Sequence, residues 1–168
     1  MRYGITRCSL GRLIAAWSED GLCAIELGDN DEQLIALLQS HFPDQALEPA
    51  QPADSSRLAR IASFIDDRAG TLELPLAIAG SEFQRKTWQA LQAIPPGKTI
   101  SYSELAGRIG KPKAVRAVAS ACGANRLAVV IPCHRVVRAD GGLGGYRWGL
   151  ERKQALLSRE ATLATNAS

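Results

Sequence analysis

The sequence predicts an α+β fold of two domains, a small α/β domain over residues 1–79 and a mostly helical domain over residues 80–168. Charge divides the chain at the same place. The first 79 residues hold 6 Lys/Arg and 12 Asp/Glu, a net charge of −6, whereas the rest hold 14 and 5, a net charge of +9. Hydrophobic periodicity agrees, because strand-like alternation near the N-terminus gives way to helical spacing through most of the second half.

Composition narrows the classes of function. The basic second half favours a polyanionic partner, nucleic acid above all, with ordinary surface charge as the alternative. No apolar run approaches the roughly 20 residues of a membrane span, and the N-terminus lacks a signal-peptide pattern, so we expect a soluble, cytoplasmic monomer. The four cysteines are scattered and form no C-x-x-C pair, and with only two histidines this spacing does not favour a four-ligand zinc site. We therefore expect reduced thiols, no metal and no cofactor.

The first domain is predicted to contain a three-stranded antiparallel sheet. Residues 2–8 alternate loosely, and residues 12–18 and 22–27 form two strand-like runs joined by an Asp-Gly turn. Residues 72–78 alternate as well, but a proline among them limits this segment to a linker or a sheet edge.

Two helices complete the first domain. The first is capped by Asp29 or Asn30 and runs to His41, which we expect at the surface or capping the helix end. The second covers residues 55–69, and the proline-containing residues 48–51 between them indicate a loop. No catalytic combination of residues is evident here, so we interpret this half as a support domain.

The second domain is predicted to be mostly helical. Ser81 begins one helix, and the capping-box spacing of Ser101 and Glu104 begins another. A three-residue glycine turn at residues 110–112 separates that helix from a third one over residues 113–122. A helix, a tight turn and a helix within the basic half predict a helix-turn-helix motif.

The third helix carries small side chains on one side. Helical spacing places Val115, Val118, Ala119 and Cys122 on its buried face. Its other side holds Lys113, Ala114, Arg116, Ala117, Ser120 and Ala121. Small residues around a long cation allow close approach to a groove with little base reading, and Arg116 then inserts into the base stack. Alternatively, the alanines only reflect helix propensity.

A cysteine and a histidine adjoin in the most apolar stretch of this domain. We interpret residues 129–137 as a strand that delivers Cys133 and His134 to a fixed point. Glu160 shares the inward side of the final helix, residues 149–160, so it either orients His134 or frays into solvent. A thiol, a base and an orienting carboxylate suit a cysteine hydrolase or a thiol that accepts an alkyl group. An inert buried cysteine is the alternative.

Longer motifs resemble those of the O6-alkylguanine-DNA alkyltransferases. The motifs are Pro-Cys-His-Arg-Val at residues 132–136, Lys-Pro-Lys-Ala-Val-Arg-Ala-Val at residues 111–118, Gly-Tyr-Arg-Trp-Gly at residues 145–149, Ser101-Tyr102, Asn125, Lys153 and Glu160. The likeness is strong from about residue 81 to residue 160 and looser before it.

The resemblance implies a role for each catalytic candidate. Cys133 attacks the alkyl carbon on O6 of guanine and keeps the alkyl group as a thioether, so that one chain repairs one lesion. His134, oriented by Glu160, takes the thiol proton through a bound water. Asn125 braces the turn before the active-site strand, and Tyr102 donates toward guanine N3 to stabilise the leaving base.

The resemblance also implies a base pocket and a DNA-binding surface. The pocket comprises Val136, Tyr146, Arg147, Trp148 and Lys153, with the carbonyls of Cys133 and Val136 accepting from the exocyclic amine and the Arg147 amide donating to O6. Arg147 and Trp148 stand where some members have small residues, which implies a narrower pocket. Arg116 fills the gap left by a flipped nucleotide, while Ala114, Ala117, Ser120 and Ala121 lie in the minor groove.

The predicted function is irreversible, stoichiometric transfer of an alkyl group from O6 of guanine, and O4 of thymine, in double-stranded DNA. Two other classes remain as alternatives. A non-catalytic module that flags alkylated bases needs the same helix but no reactive thiol. A cysteine hydrolase predicts turnover and needs no DNA.

Overall fold

The computed structural model describes residues 1–67 and 72–166, which fall into two units, Met1–Ile78 and Ala79–Ser168. Strands and helices occur in both, so the predicted α+β class is confirmed. None of the helices in the described ranges is long and apolar enough to cross a membrane.

The first unit is built on a sheet in the order β3-β2-β1-β4. Its strands are β1 (Arg2–Cys8), β2 (Gly11–Ser18), β3 (Gly21–Gly28) and β4 (Glu48–Pro49). The first three form the predicted antiparallel meander, with the Asp-Gly turn between β2 and β3. Residues 13–17 of β2 are buried without a break, so this inner strand is covered on both of its faces.

The prediction of three strands was wrong, because β4 adds a fourth strand parallel to β1. The sequence places a proline here, which indicated a loop. However, the ladder uses the amides on either side of Pro49: Glu48 N–H donates to Met1 O at 2.9 Å and Ala50 N–H donates to Tyr3 O at 2.7 Å. Pro49 occupies the position whose amide faces away from β1, so its missing donor removes no hydrogen bond.

Two helices pack in this unit, α1 (Asp31–His41) and α2 (Ser55–Asp67). Asn30 caps α1 by accepting from Gln33 N–H at 3.1 Å, as predicted. The predicted end of the second helix, at residues 68 and 69, lies outside the described residues. The core cluster beneath α1 consists of Ile14, Ala16, Ala24, Leu34 and Leu38.

His41 does not cap the helix end or project from the surface. Its Nδ1 lies 3.1 Å from Oε2 of Glu26, a carboxylate on β3 that is fully buried. A buried carboxylate requires a partner, and the last turn of α1 supplies it. The prediction for His41 was therefore wrong.

The described residues of the second unit form four α-helices and a two-stranded parallel sheet. The elements are α3 (Glu82–Gln92), β5 (Ile100–Ser101), α4 (Tyr102–Arg108), α5 (Val115–Gly123), β6 (Val136–Val137) and α6 (Leu150–Asn166). Ser81 and Gln84 form a full capping box at the start of α3. Pairing of Ile100 with Val136 brings the start of α4 beside the segment that carries Cys133.

The connection between α4 and α5 is longer than the predicted glycine turn. It covers residues 109–114, and α5 begins at Val115 rather than at Lys113. Gly110 has a φ of 77°, the left-handed conformation that closes a helix end, and Lys111 N–H donates to Ala106 O at 2.9 Å.

Candidate active site around Cys133

Cys133 lies on a single turn of 3-10 helix, Cys133–Arg135, and not at the end of a strand as predicted. Pro132, with φ of −82° and ψ of 63°, turns the chain so that Cys133 N–H donates to Ile131 O at 2.8 Å. This is an inverse γ-turn. It redirects the backbone immediately before the thiol, and β6 begins only afterwards.

A second tight turn precedes it at Val129. Val129 has a φ of 71°, and Val130 N–H donates to Ala128 O at 2.8 Å across it. A positive φ is uncommon for a β-branched residue and stores strain of roughly 1–3 kcal/mol. The run of valines that indicated a strand is therefore folded into consecutive turns.

Asn125 holds these turns together. Its Nδ2 donates to Ile131 O at 2.9 Å and to Cys133 Sγ at 3.4 Å, and its Oδ1 accepts from Leu127 N–H at 2.9 Å. The side chain is 1% exposed. It thus links the end of α5 to the thiol and supplies an N–H donor to the sulfur.

His134 and Glu160 form the buried pair that the helical spacing indicated. Nε2 of His134 lies 2.7 Å from Glu160 Oε1, and both residues are fully buried. An ionised carboxylate only accepts, so Nε2 carries the proton and Nδ1 is the basic nitrogen. Of the two orientations open for Glu160, the inward one is found.

Arg135 joins this pair, which the sequence reasoning missed. Its Nε donates to Glu160 Oε2 at 3.0 Å, its Nη2 to Oε1 at 2.8 Å, and its Nη1 to Ile94 O at 2.5 Å. The residue is only 8% exposed. A lone arginine in an apolar run was the signal, because a buried guanidinium requires a carboxylate partner.

Lys153 organises the glycine-rich segment beside the thiol. Its side chain is fully buried, and its ammonium donates to the carbonyls of Val136 at 2.7 Å, Gly145 at 3.1 Å and Leu143. The segment also packs closely on Tyr102, since a Cβ at Gly144 would lie 2.9 Å from its ring. Lys153 therefore fixes one wall of the site through backbone carbonyls.

The thiol lies at the side of a cavity of about 210 Å³. The cavity is lined by Tyr102, Ala119, Cys122, Gly123, Cys133, Gly145, Tyr146 and Arg147. Arg147 donates from Nη1 to Asn125 O at 2.9 Å, while Trp148 is buried behind Tyr146 with ring centroids 5.3 Å apart. Arg147 and Tyr146 thus border the cavity directly, and Trp148 supports Tyr146.

Burial controls the ionisation of the groups that face this cavity. It raises the pKa of the Cys133 thiol, against the Asn125 hydrogen bond and the positive charge of Lys153, which lower it. It also raises the pKa of Cys122 to about 12 and raises that of Tyr102. The resting thiol therefore keeps its proton at neutral pH and needs a base to become a nucleophile.

The faces of α5 differ from those predicted. Ala121 is buried, and its carbonyl accepts from Trp88 Nε1–H at 2.9 Å, whereas Ala119 is exposed at the cavity. The predictions for these two alanines were wrong, because the buried face is centred on Val118, Ala121 and Cys122. Of the other predicted DNA-binding residues, Arg116, Ala117 and Ser120 are exposed and Ala114 is half-buried.

Comparison with known proteins identifies the family. A family model described as 6-O-methylguanine DNA methyltransferase, DNA binding domain, matches residues 82–162, and one described as its ribonuclease-like domain matches residues 1–60. The methylated-DNA–protein-cysteine methyltransferase of Salmonella typhimurium is 38% identical over 144 residues, 84% of each chain. This chain belongs to the O6-alkylguanine-DNA alkyltransferase family.

Two other proteins of this family match almost the whole length of this chain. The bifunctional transcriptional activator/DNA repair enzyme Ada of Escherichia coli is 54% identical over 161 residues, covering 96% of this chain and 46% of Ada. The chain thus spans about half the length of the first curated relatives it matches. The crystal structure of Mycobacterium tuberculosis OGT in complex with DNA has a TM-score of 0.80 at 31% identity, covering 96% of this chain and 94% of that one.

Proposed function

We propose that this chain repairs DNA by moving an alkyl group from O6 of guanine to Cys133, once per chain. The observation that carries the proposal is a buried thiol that lines an open cavity and is followed in the chain by His134, which is paired with buried Glu160. A thiol in this setting needs a base, and the pair provides one.

The transfer is a substitution at carbon. His134 accepts the Cys133 proton through an intervening water, as the family resemblance implies, and the thiolate attacks the alkyl carbon. The sulfur–carbon bond forms as the carbon–O6 bond breaks, and its electron pair leaves on the guanine. Tyr102, which borders the cavity, donates a hydrogen bond toward N3 and stabilises the departing base. Because a thioether is not readily cleaved, the chain is consumed.

Double-stranded DNA is the proposed partner, with α4 and α5 acting as a helix-turn-helix. Arg116, Ala117 and Ser120 form the exposed side of α5, which fits a shape-driven contact along a groove. The damaged nucleotide rotates into the cavity and Arg116 takes its place in the stack. Unstacking costs a few kcal/mol, less for a poorly paired alkylated base, so flipping helps to select lesions.

The base pocket is proposed to be narrow. Arg147, held by the Asn125 carbonyl, and Tyr146 occupy space at the cavity wall. We expect methyl to be preferred to bulky alkyl groups, and O4 of methylated thymine to be accepted as a second substrate. Residues 80–168 carry DNA binding and transfer, residues 1–79 act as a support domain, and the protein works as a cytoplasmic monomer.

Intact mass after incubation with duplex DNA containing O6-methylguanine tests the proposal. We expect one added methyl group per chain, located on the Cys133 peptide and absent from Cys133→Ala. Cys122→Ala is the matched control, since Cys122 lines the same cavity and should leave the transfer intact. Binding without mass gain would favour a module that only flags lesions, and multiple turnover would favour a hydrolase.

The flipping role of Arg116 has its own test. Arg116→Ala should slow repair of duplex DNA far more than reaction with the free methylated base. Equal losses with both substrates would remove the role. Lys113→Ala, a cation two residues before the start of α5, should weaken duplex binding in a salt-dependent way and leave the free-base reaction unchanged.

A further inference from the structure

The Glu160 carboxylate is shared between a histidine and an arginine. Oε1 lies 2.7 Å from His134 Nε2 and 2.8 Å from Arg135 Nη2, while Oε2 accepts from Arg135 Nε at 3.0 Å. The guanidinium is itself anchored by the Ile94 carbonyl at the end of α3. A two-point contact of this kind fixes the plane of a carboxylate as well as its position.

Charged and titratable groups from several elements face Cys133, His134 and Arg135. From α6, Lys153 acts on the Cys133 sulfur with its positive charge. The loop before α6 presents the Tyr146 ring edge to His134, with centroids 6.4 Å apart, and α3 presents the Ile94 carbonyl. Burial lowers the pKa of Arg135 to about 10, so its guanidinium still carries a full charge at neutral pH.

We propose that Arg135 is a positioning residue for the alkyl transfer: it orients Glu160 and lowers the pH at which the coupled Cys133–His134 pair releases its proton. This role rests on the proposed function, in which that proton must leave before attack. With Arg135 present, the Glu160 charge is balanced, and the environment of the pair is less favourable to an extra proton. Without Arg135, the site loses a positive charge beside Glu160, and the Cys133–His134 pair keeps its proton to a higher pH.

Loss of the Arg135 charge changes the apparent pKa in the same direction whether the Cys133 thiol or the His134 imidazole holds the proton. In the proposed function Cys133 and His134 exchange a proton, so they titrate as a coupled pair with apparent pKa values that belong to both. Removing a buried positive charge next to them raises the first of these values, whether sulfur or imidazole loses the proton. Lysine at position 135 keeps the charge but cannot make the two-point contact, so charge and orientation are separable.

The test measures how fast iodoacetamide alkylates Cys133 as a function of pH, by peptide mass spectrometry and without DNA. For Arg135→Met we expect the midpoint of the rate profile to rise by about one pH unit. Arg135→Lys should keep the wild-type midpoint but reach a lower plateau. Arg108→Met is the control, because Arg108 pairs with Glu104 on the exposed side of α4. An unchanged midpoint in Arg135→Met would overturn the proposal.

If Arg135→Met does not fold, a comparison of two Glu160→Gln variants, with and without Arg135, tests the same role. Replacing a whole buried ion pair with neutral groups is tolerated better than removing one partner. Glu160→Gln should therefore lower the midpoint, and Glu160→Gln combined with Arg135→Met should bring it back up by about one pH unit. Equal midpoints for these two variants, which differ only in the Arg135 charge, would refute the role.

Methyl transfer from duplex DNA, followed on the wild-type chain, distinguishes this inference from the proposed function. If wild type gains no methyl group, the proposed function fails, whatever the iodoacetamide profiles show. If it gains one and the midpoints do not move, only the role of Arg135 fails.

Discussion

Cys122 and Cys133 line one cavity, and the difference in their surroundings indicates what makes a thiol a nucleophile. Both are almost fully buried, at 7% and 5% exposure, and burial raises the pKa of each. The exposed fraction of the side chain therefore does not separate the two thiols. Cys133 receives an N–H from Asn125 and adjoins His134, whereas Cys122 lies in the last turn of α5. Cys133 thus differs from Cys122 in having the Asn125 N–H as a donor to its sulfur and, in the proposed function, His134 as the acceptor of its proton.

The largest expected effect is the loss of methyl transfer when Cys133, and not Cys122, is replaced. Cys133→Ala should abolish methyl transfer completely, and Cys122→Ala should retain most of the wild-type rate, because the sulfur that accepts the alkyl carbon is unchanged. Single-turnover assays with methylated duplex DNA would measure both. Methyl found on Cys122 in the Cys133→Ala variant would show that both thiols can accept the alkyl group.

The next largest loss of transfer rate is expected when the Glu160 carboxylate is removed. Glu160→Gln leaves the shape of the site but weakens the base, so the plateau rate of transfer should fall about 10²- to 10⁴-fold. Glu82→Gln is the matched control, because Glu82 pairs with Lys86 on the exposed side of α3, and it should keep the wild-type transfer rate. An equal loss in the two variants would contradict a specific role for the Glu160 carboxylate.

A smaller loss is expected from Asn125→Ala. It removes the N–H donated to Cys133 and the bond to Ile131 O, so the rate should fall about ten- to a hundredfold and the free energy of unfolding by about 1–3 kcal/mol. Asn30→Ala, which removes the cap of α1, is a control with a loss of about 1 kcal/mol. Its transfer rate should equal that of wild type; a matching loss of rate in the two variants would argue against a role for the Asn125 donor.

The last effect is absent at neutral pH and concerns the stability of the fold in alkaline solution. The pKa of Cys122 rises from 9.0 to about 12 in the folded chain, so the folded state holds its proton more tightly than the unfolded state. Stability from this group is complete below pH 9 and declines as the pH rises toward 12, by at most about 4 kcal/mol. Cys122→Ala should flatten that decline in urea unfolding curves measured from pH 7 upward. An equally steep decline would show that Cys122 does not hold its proton in this way.

Local signals predicted the features that depend on local chemistry. Asn30 and Ser81 cap α1 and α3 as their side chains indicate, because a cap bonds to an amide within three residues. The spacing of Glu160 on the final helix left two orientations open, inward or frayed into solvent, and the structure has the inward one. The partner His134 was named from the need of a buried carboxylate for a donor.

Features decided by long-range contacts were not predictable in this way. Ala119 and Ala121 are equally apolar, and the hydrogen bond from Trp88 to the carbonyl of Ala121 is invisible in hydrophobic spacing. The strand expected at residues 129–137 is broken by turns at Val129 and Pro132, since valine normally favours extended backbone. The contact of Arg135 with Glu160 was not predicted, because arginine is mostly exposed in folded proteins and its burial here depends on the tertiary fold.

Pro49 has one more consequence. Proline is usually treated as a residue that excludes a strand, yet in β4 it specifies the register. The amides of Glu48 and Ala50 both donate to β1, and a slip of one residue would bring the proline nitrogen opposite a carbonyl and forfeit that bond. The alignment of β4 with β1 is therefore restricted to registers in which Pro49 faces away from β1.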